Sequence, residues 1–232
     1  MRSQSTPLSL LVGTLLVLAA CADSRGPDRV RPASRAAVST SATMAEPAEP
    51  AVIEIPIALD RRTADDATDG FEAFVQQVLL DSRGWEQAGF HFTASADAAY
   101  TVVLAERDEV DALCAPYDVA GRFSCQIGPI VVLNGDRWRT ATETWPASLD
   151  DYRTMLVNHE IGHLIGRHHP AEKCEAPGAP AAVMAQQSGG LDGCAPNPWP
   201  LPWEITCATR HDEPIAPGYE EDPLSTCGPE DA

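Results

Sequence analysis

VNHEIGHLIGRHHP, from Val157 to Pro170, carries the pattern H-E-x-x-H-x-x-G-x-x-H at His159, Glu160, His163, Gly166 and His169. On a helix, four residues turn about 400°, so the imidazoles of His159 and His163 leave one face roughly 5.4 Å apart. A single zinc ion can bridge that span. Glu160 follows the first of them on a neighbouring flank, where a carboxylate can hold water beside a metal without becoming a ligand. Gly166 falls one turn after His163. A glycine there can adopt φ > 0, end the helix and turn the chain back. His169 is then spaced to bring in a third imidazole. Five fixed positions, each at about one in twenty, give a chance match below about 10⁻⁴ in a chain of this length.

The helix that bears the pattern is expected to start at Ser148. Ser148 and Asp151 have capping-box spacing, with Asp in place of the usual Glu. Leu149, Tyr152, Leu156, His159 and His163 then share a face directed to a cleft. Met155, Ile161, Leu164 and Ile165 cover the other sides, so the helix should be largely buried.

Upstream, a domain begins near Val52. Ile53, Ile55, Ile57 and Leu59 alternate with other residues, a strand signal, and Pro56 within it predicts an edge position or a bulge. Asp69 reads as the N-cap of a helix whose apolar stripe is Phe71, Phe74, Val75, Val78 and Leu79, ended by a turn over 81–85. Further strands are expected over 89–93 and 100–105, a helical turn over 109–113, and a hairpin of 122–127 with 130–133 across Gly128-Pro129. His91, between Phe90 and Phe92, reads as a surface or half-buried strand residue and not as a ligand.

Downstream of Pro170 the composition changes. Ten of the twenty prolines lie at or beyond Pro177, which leaves little room for regular structure and makes disulfides the source of order. Six cysteines remain after Cys21, and neighbour pairing is expected: Cys114 with Cys125, Cys174 with Cys194, Cys207 with Cys227. No C-x-x-C is present to favour zinc thiolate ligation instead. Past Arg210 there are seven acidic residues and no basic one, so residues 205–232 are expected to form an irregular acidic tail.

The amino terminus reads as an export signal over 1–21. Arg2 is followed by a mostly apolar run, Leu8 to Ala20, too short to span a membrane. Leu18-Ala19-Ala20-Cys21 resembles a bacterial lipobox, which would place lipid on Cys21 and hold the protein at a membrane surface; ordinary cleavage after Ala22 is the competing reading. Residues 22–50, rich in Ala, Pro, Ser, Thr and Arg, read as a disordered tether to a domain over 51–204. The 16 basic and 34 acidic residues give a net charge of −18, which argues against nucleic acid as a partner.

The elongated histidine motif resembles that of the metzincin zinc metallopeptidases. Their second mark is a methionine in a tight turn beneath the metal, and Ala182-Val183-Met184-Ala185-Gln186 offers Met184. More closely, the segment from about Ala51 to Trp203 resembles an uncharacterised family of secreted actinobacterial proteins grouped as metzincin-like. DSRGW at 81–85, TVVLA at 101–105, VVLN at 131–134, DRW at 136–138, VNHEIGHLIGRHH at 157–169, VMAQQ at 183–187 and GLDGCAPNPWP at 190–200 carry that likeness. The resemblance implies an α/β (α+β) fold: a twisted mixed sheet with two main helices above an irregular, disulfide-braced lower part that begins after Gly166. It implies one zinc ion on His159, His163 and His169, Glu160 as general base, and Met184 below. Two departures stand out. Ala185, Gln186 and Gln187 follow the methionine where many metzincins have a tyrosine, and His168 competes with His169 for the third position.

The activity expected is hydrolysis of peptide bonds by zinc-activated water, with a peptide or protein substrate added as an extra strand at the 122–127 edge, in an exported monomer. The alternatives are hydrolysis of a non-peptide amide such as one of the cell wall, or a catalytically silent binding protein that keeps a zinc-stabilised fold.

Overall fold

A computed structural model describes residues 52–206 of the chain. Five strands form one sheet: β1 (Ile53–Arg61), β2 (Phe90–Ala94), β3 (Tyr100–Ala105), β4 (Cys125–Ile127) and β5 (Ile130–Asn134), in the spatial order β2-β1-β3-β5-β4. All neighbours run parallel except β4, which returns antiparallel on β5 through the expected hairpin. Among the described residues five α-helices accompany them: α1 (Phe71–Leu79), α2 (Arg107–Leu113), α3 (Gly135–Thr140), α4 (Leu149–Leu164) and α5 (Pro202–Thr206). The α/β class and the mixed sheet are as expected from the sequence. No helix among the described residues is long and apolar enough to cross a membrane.

The central strands bury both faces, as parallel strands flanked by helices must. Along β3 and β5 the alternation sorts side chains between two cores. Val102, Leu104, Val131 and Leu133 pack with α1 and α4, whereas Val103, Ala105 and Val132 pack with Val110 of α2 and with Cys114 and Cys125 on the other side. Trp138 of α3 fills the first core, with its rings edge-on to Phe71 and Phe74 at centroid distances of 5.1 and 5.4 Å.

Pro56 does not mark an edge strand, for β1 lies inside the sheet. Ile53 N–H donates to Gly89 O and Ser95 N–H to Ile57 O, so the odd-numbered residues turn to β2. Pro56 turns to the other flank, which β3 joins only from Ile57. Its missing N–H therefore falls where the strand is locally unpartnered. Asp69 is not the cap of α1 either. Its carboxylate is taken by Arg61 at 3.0 Å, and Gly70, at φ 79°, makes the turn into the helix. The expected strand over 122–127 shortens to Cys125–Ile127, because Arg122 N–H closes a turn on Val119 O. The helical turn over 109–113 lengthens to Arg107–Leu113.

Two disulfides join the cysteines expected to pair, Cys114 with Cys125 and Cys174 with Cys194. The first staples α2 to β4; the second closes a loop in the irregular part that follows α4. Cys21, Cys207 and Cys227, the signal, the tether and most of the acidic tail lie outside the described residues. After α4, a 3-10 turn at Gln187–Gly189 and α5 are the regular elements found up to Thr206. That part is held by side chains. Gln187 Nε2 donates to Ala182 O and Asn197 O, and Asn197 Nδ2 donates to Ala181 O and Trp199 O.

Candidate metal centre

Helix α4 starts as the sequence suggested. The Ser148 hydroxyl accepts from Asp151 N–H at 3.0 Å and donates to the Asp151 carboxylate at 2.7 Å. The shorter Asp therefore meets the hydroxyl itself, where the longer Glu of a capping box reaches the backbone N–H. The helix is buried on nearly every side and carries His159, Glu160 and His163 in its last two turns. Tyr152 OH meets Ser188 Oγ at 2.8 Å, which ties its first half to the irregular part.

Gly166 ends the helix. Its φ is +81°, its N–H donates to His163 O, and Arg167 N–H donates to Gly162 O at 2.8 Å. This is the paired hydrogen bonding of a Schellman turn, which needs a left-handed residue at this position. The reversal does two things. It carries His169 back over the helix end, and it sets the Arg167 carbonyl 2.9 Å from His163 Nδ1.

The three expected ligands come together. His169 Nε2 lies 3.1 Å from His163 Nε2 and 3.2 Å from His159 Nε2, and all three candidate ligand atoms fall within 4.8 Å of one another. Nitrogens about 2.05 Å from one tetrahedral ion lie about 3.3 Å apart, so the spacing fits a four-coordinate metal. His168 is not part of the group, and His91 sits apart on β2, paired with Glu86 at 2.9 Å.

Tautomers make the case stronger. His159 Nδ1 faces Val183 O at 2.9 Å and His163 Nδ1 faces Arg167 O. A carbonyl only accepts, so each Nδ1 holds the proton and each Nε2 presents a lone pair. His169 Nε2 can donate to one of these at most. A cation among the three nitrogens satisfies them together. Burial, reinforced by the neighbouring imidazoles, pushes His159 down to about 3 and His163 well below the ordinary histidine range, so both rings are neutral and ready to ligate. The residues present fit a bound metal ion. The carbonyls of Val183 and Arg167 fix the rings, a role that outer groups usually play around ligating histidines.

Glu160 stands beside the ligands and outside their group. It is 4 % exposed, and desolvation alone pushes its carboxyl up to about 8. Such a group takes a proton readily near neutrality.

Met184 lies beneath the helix. Ala185 N–H closes a tight turn on Ala182 O, with Val183 and Met184 at its apex. The methionine is 2 % exposed, and a Cβ added at Gly162 would come within 2.2 Å of its sulfur. Glycine at 162 is therefore what lets α4 settle on Met184 and on Trp85. The Trp85 indole also donates to Asn158 O at 2.9 Å. Asn158 itself points away from the imidazoles, with its amide donating to Pro198 O.

Glu204 of α5 braces this turn. Its carboxylate accepts from Val183 N–H at 3.0 Å, Met184 N–H at 2.8 Å and Leu201 N–H at 2.7 Å. Arg167 Nε donates to the Glu204 carbonyl at 3.1 Å. The sequence reading missed Glu204, Gly162 and the two carbonyls. A lone carboxylate between Trp203 and Ile205 was the only hint of the first.

Fold and site together define an α/β domain with a three-histidine centre able to hold a metal ion. The chain belongs to the family described as "Protein of unknown function (DUF3152)", which it matches over residues 38–195. That span includes the sheet, α4, the three histidines and Met184, and it ends before Glu204. No curated protein matches the chain.

Proposed function

We propose that the protein is a zinc-dependent peptidase of metzincin type, exported and tethered to a membrane by lipid on Cys21. The observation that carries the reading is the convergence of three Nε2 atoms at the end of α4, with the Glu160 carboxylate on the adjoining flank. His159, His163 and His169 hold the ion. When bound, zinc supplies Lewis-acid polarisation of a substrate carbonyl and lowers the pKa of water. Glu160 accepts the proton of the attacking water and returns it to the departing amine. Val183 O and Arg167 O keep the rings of His159 and His163 aimed. An extended peptide substrate can pair with the outer flank of β4, which ends the sheet.

The test is metal analysis of the purified chain, run beside cleavage of a peptide library and of cell-wall fragments. One equivalent of zinc with cleavage of peptides, lost in Glu160→Gln while the zinc remains, supports the reading. Full activity of Glu160→Gln overturns it, and cleavage confined to cell-wall amides replaces the substrate class.

A further inference from the structure

A second feature lies at the carboxyl ends of β3 and β5, apart from the three histidines and independent of what they hold. A cleft of about 330 Å³ opens between α2, the 119–123 turn and α3, lined by Arg107, Arg122, Arg137 and Arg139, with Asp136 and Thr140. In sheets of parallel strands, the crevice beyond the carboxyl ends is a recurrent ligand position.

Four arginines in one cleft are unusual for this chain, whose net charge is −18. The described residues include ten cations, Arg61, Arg62, Arg83, Arg107, Arg122, Arg137, Arg139, Arg153, Arg167 and Lys173. Six of them pair with carboxylates: Arg61, Arg62, Arg83, Arg139, Arg153 and Lys173. Arg167 is buried behind the metal centre. The remaining three, Arg107, Arg122 and Arg137, have no carboxylate partner among the described residues, and all three line this cleft. Asp136, Asp65 and Glu106 beside it are each engaged by Arg139, while Asp111 accepts from Gly121 N–H. Arg139 thereby occupies these three carboxylates, and none of them pairs with the other three arginines.

The walls are also fixed in advance. Arg137 Nε donates to Arg122 O at 2.9 Å, Asn134 Nδ2 donates to Gly121 O, and Gly121 N–H donates to Asp111. Gly121, at φ +59°, packs so close to Arg107 that a Cβ there would come within 2.8 Å of its side chain. The Cys114–Cys125 disulfide closes the same loop from behind.

We propose that this cleft binds a small molecule bearing a phosphate-class oxyanion. One guanidinium fork matches a planar carboxylate, whereas cations from three separate elements suit a tetrahedral group with oxygens on several sides. The volume admits such a group with a small organic substituent.

The test is calorimetric titration of the full chain with inorganic pyrophosphate at ~0.15 M salt, where long-range screening is already in place. Arg107 and Arg122 are exposed, so an Arg107→Gln/Arg122→Gln variant should melt where the parent does. Submillimolar binding that weakens at least about tenfold in that variant, persists in His169→Ala and exceeds binding of citrate supports the site. An unchanged affinity in the arginine variant overturns it. So does loss in His169→Ala alone, which would put the anion on the metal. Tighter binding of citrate overturns the phosphate assignment. If the double variant melts early, Arg107→Lys/Arg122→Lys keeps the charge and removes the forks; undiminished binding there overturns the geometric argument.

Discussion

Glu204 holds Val183 by a 3.0 Å hydrogen bond to its N–H, and the Val183 carbonyl is the group that receives His159 Nδ1. A carboxylate on α5 thus sets the orientation of a ring on α4 through one residue of an intervening turn. Met184 N–H is gripped by the same carboxylate, so the turn cannot rotate without losing both bonds.

Replacing Glu204 by Ala leaves three N–H groups without their acceptor. At about 1–3 kcal/mol for each buried polar group left unsatisfied, the domain should lose about 3 kcal/mol or more. Zinc affinity should fall by about tenfold, the lower end of the range for residues that orient ligands. Denaturant melts and competition with a chelator read the two effects. Glu204→Ala with unchanged zinc affinity would show that the turn orients His159 unaided.

Glu160→Gln should keep the metal and lower peptide turnover by about 10²–10⁴, the usual contribution of a positioned acid–base group. His159→Ala, His163→Ala and His169→Ala should each lose the metal as well. Parallel zinc quantification and cleavage assays separate the two classes of variant.

Gly162→Ala drives a methyl group into the Met184 sulfur and against Trp85. The cost should be about 1–3 kcal/mol, typical of overpacking. Met184→Ala in the same chain removes the clash, so the double variant should be more stable than the sum of the single changes. Simple additivity in a double-mutant cycle would refute the contact.

In the metal-free protein the stability should depend on pH in two opposed ways. His159, held down to about 3 by burial, contributes stability present above its ordinary 6.5 and lost as pH falls toward 3. Glu160, raised to about 8, contributes stability present below its ordinary 4.5 and lost as pH rises through 8. Between 6.5 and 8 the His159 contribution is constant while that of Glu160 falls, so the melting temperature in chelator should fall with pH over that range. Glu160→Gln should flatten the fall, and an equal slope in both proteins would contradict the assignment.

Breaking Cys174–Cys194 with a double Ala substitution opens a loop with a sequence separation of 20. Chain-entropy arguments put the loss at about 3 kcal/mol. The sheet should survive, since the buried residues of both cores lie before Cys174 apart from Val183 and Met184. Circular dichroism with retained strand signal and earlier melting checks this.

The centre was largely legible in the sequence because its ligands are local. His159 and His163 are related by helical period and His169 by one glycine turn, so spacing carries the geometry. The strands of the sheet were equally legible, since the alternation in 53–59 and the apolar run in 100–105 survive into β1 and β3. What escaped was set by distant partners. Asp69 has the chemistry of a cap, yet Arg61 claims it. Pro56 signals an unpaired N–H, but not that the strand goes on to gain a second neighbour one residue later. Glu204 reads as a polar residue near a tail, because the three N–H groups it serves lie in loops without periodicity.

The Schellman turn at Gly166 has a consequence for assembly. The imidazoles that meet lie between residues 159 and 169, so catching an ion demands only a helix end and a short reversal, with little chain entropy lost. The groups that aim those rings from outside arrive later in the chain, from residues 183 and 204. A chain that has made only this helix end would already bring the three imidazoles together, and the docking of α5 on the turn at 183–184 would then fix the direction of the His159 ring.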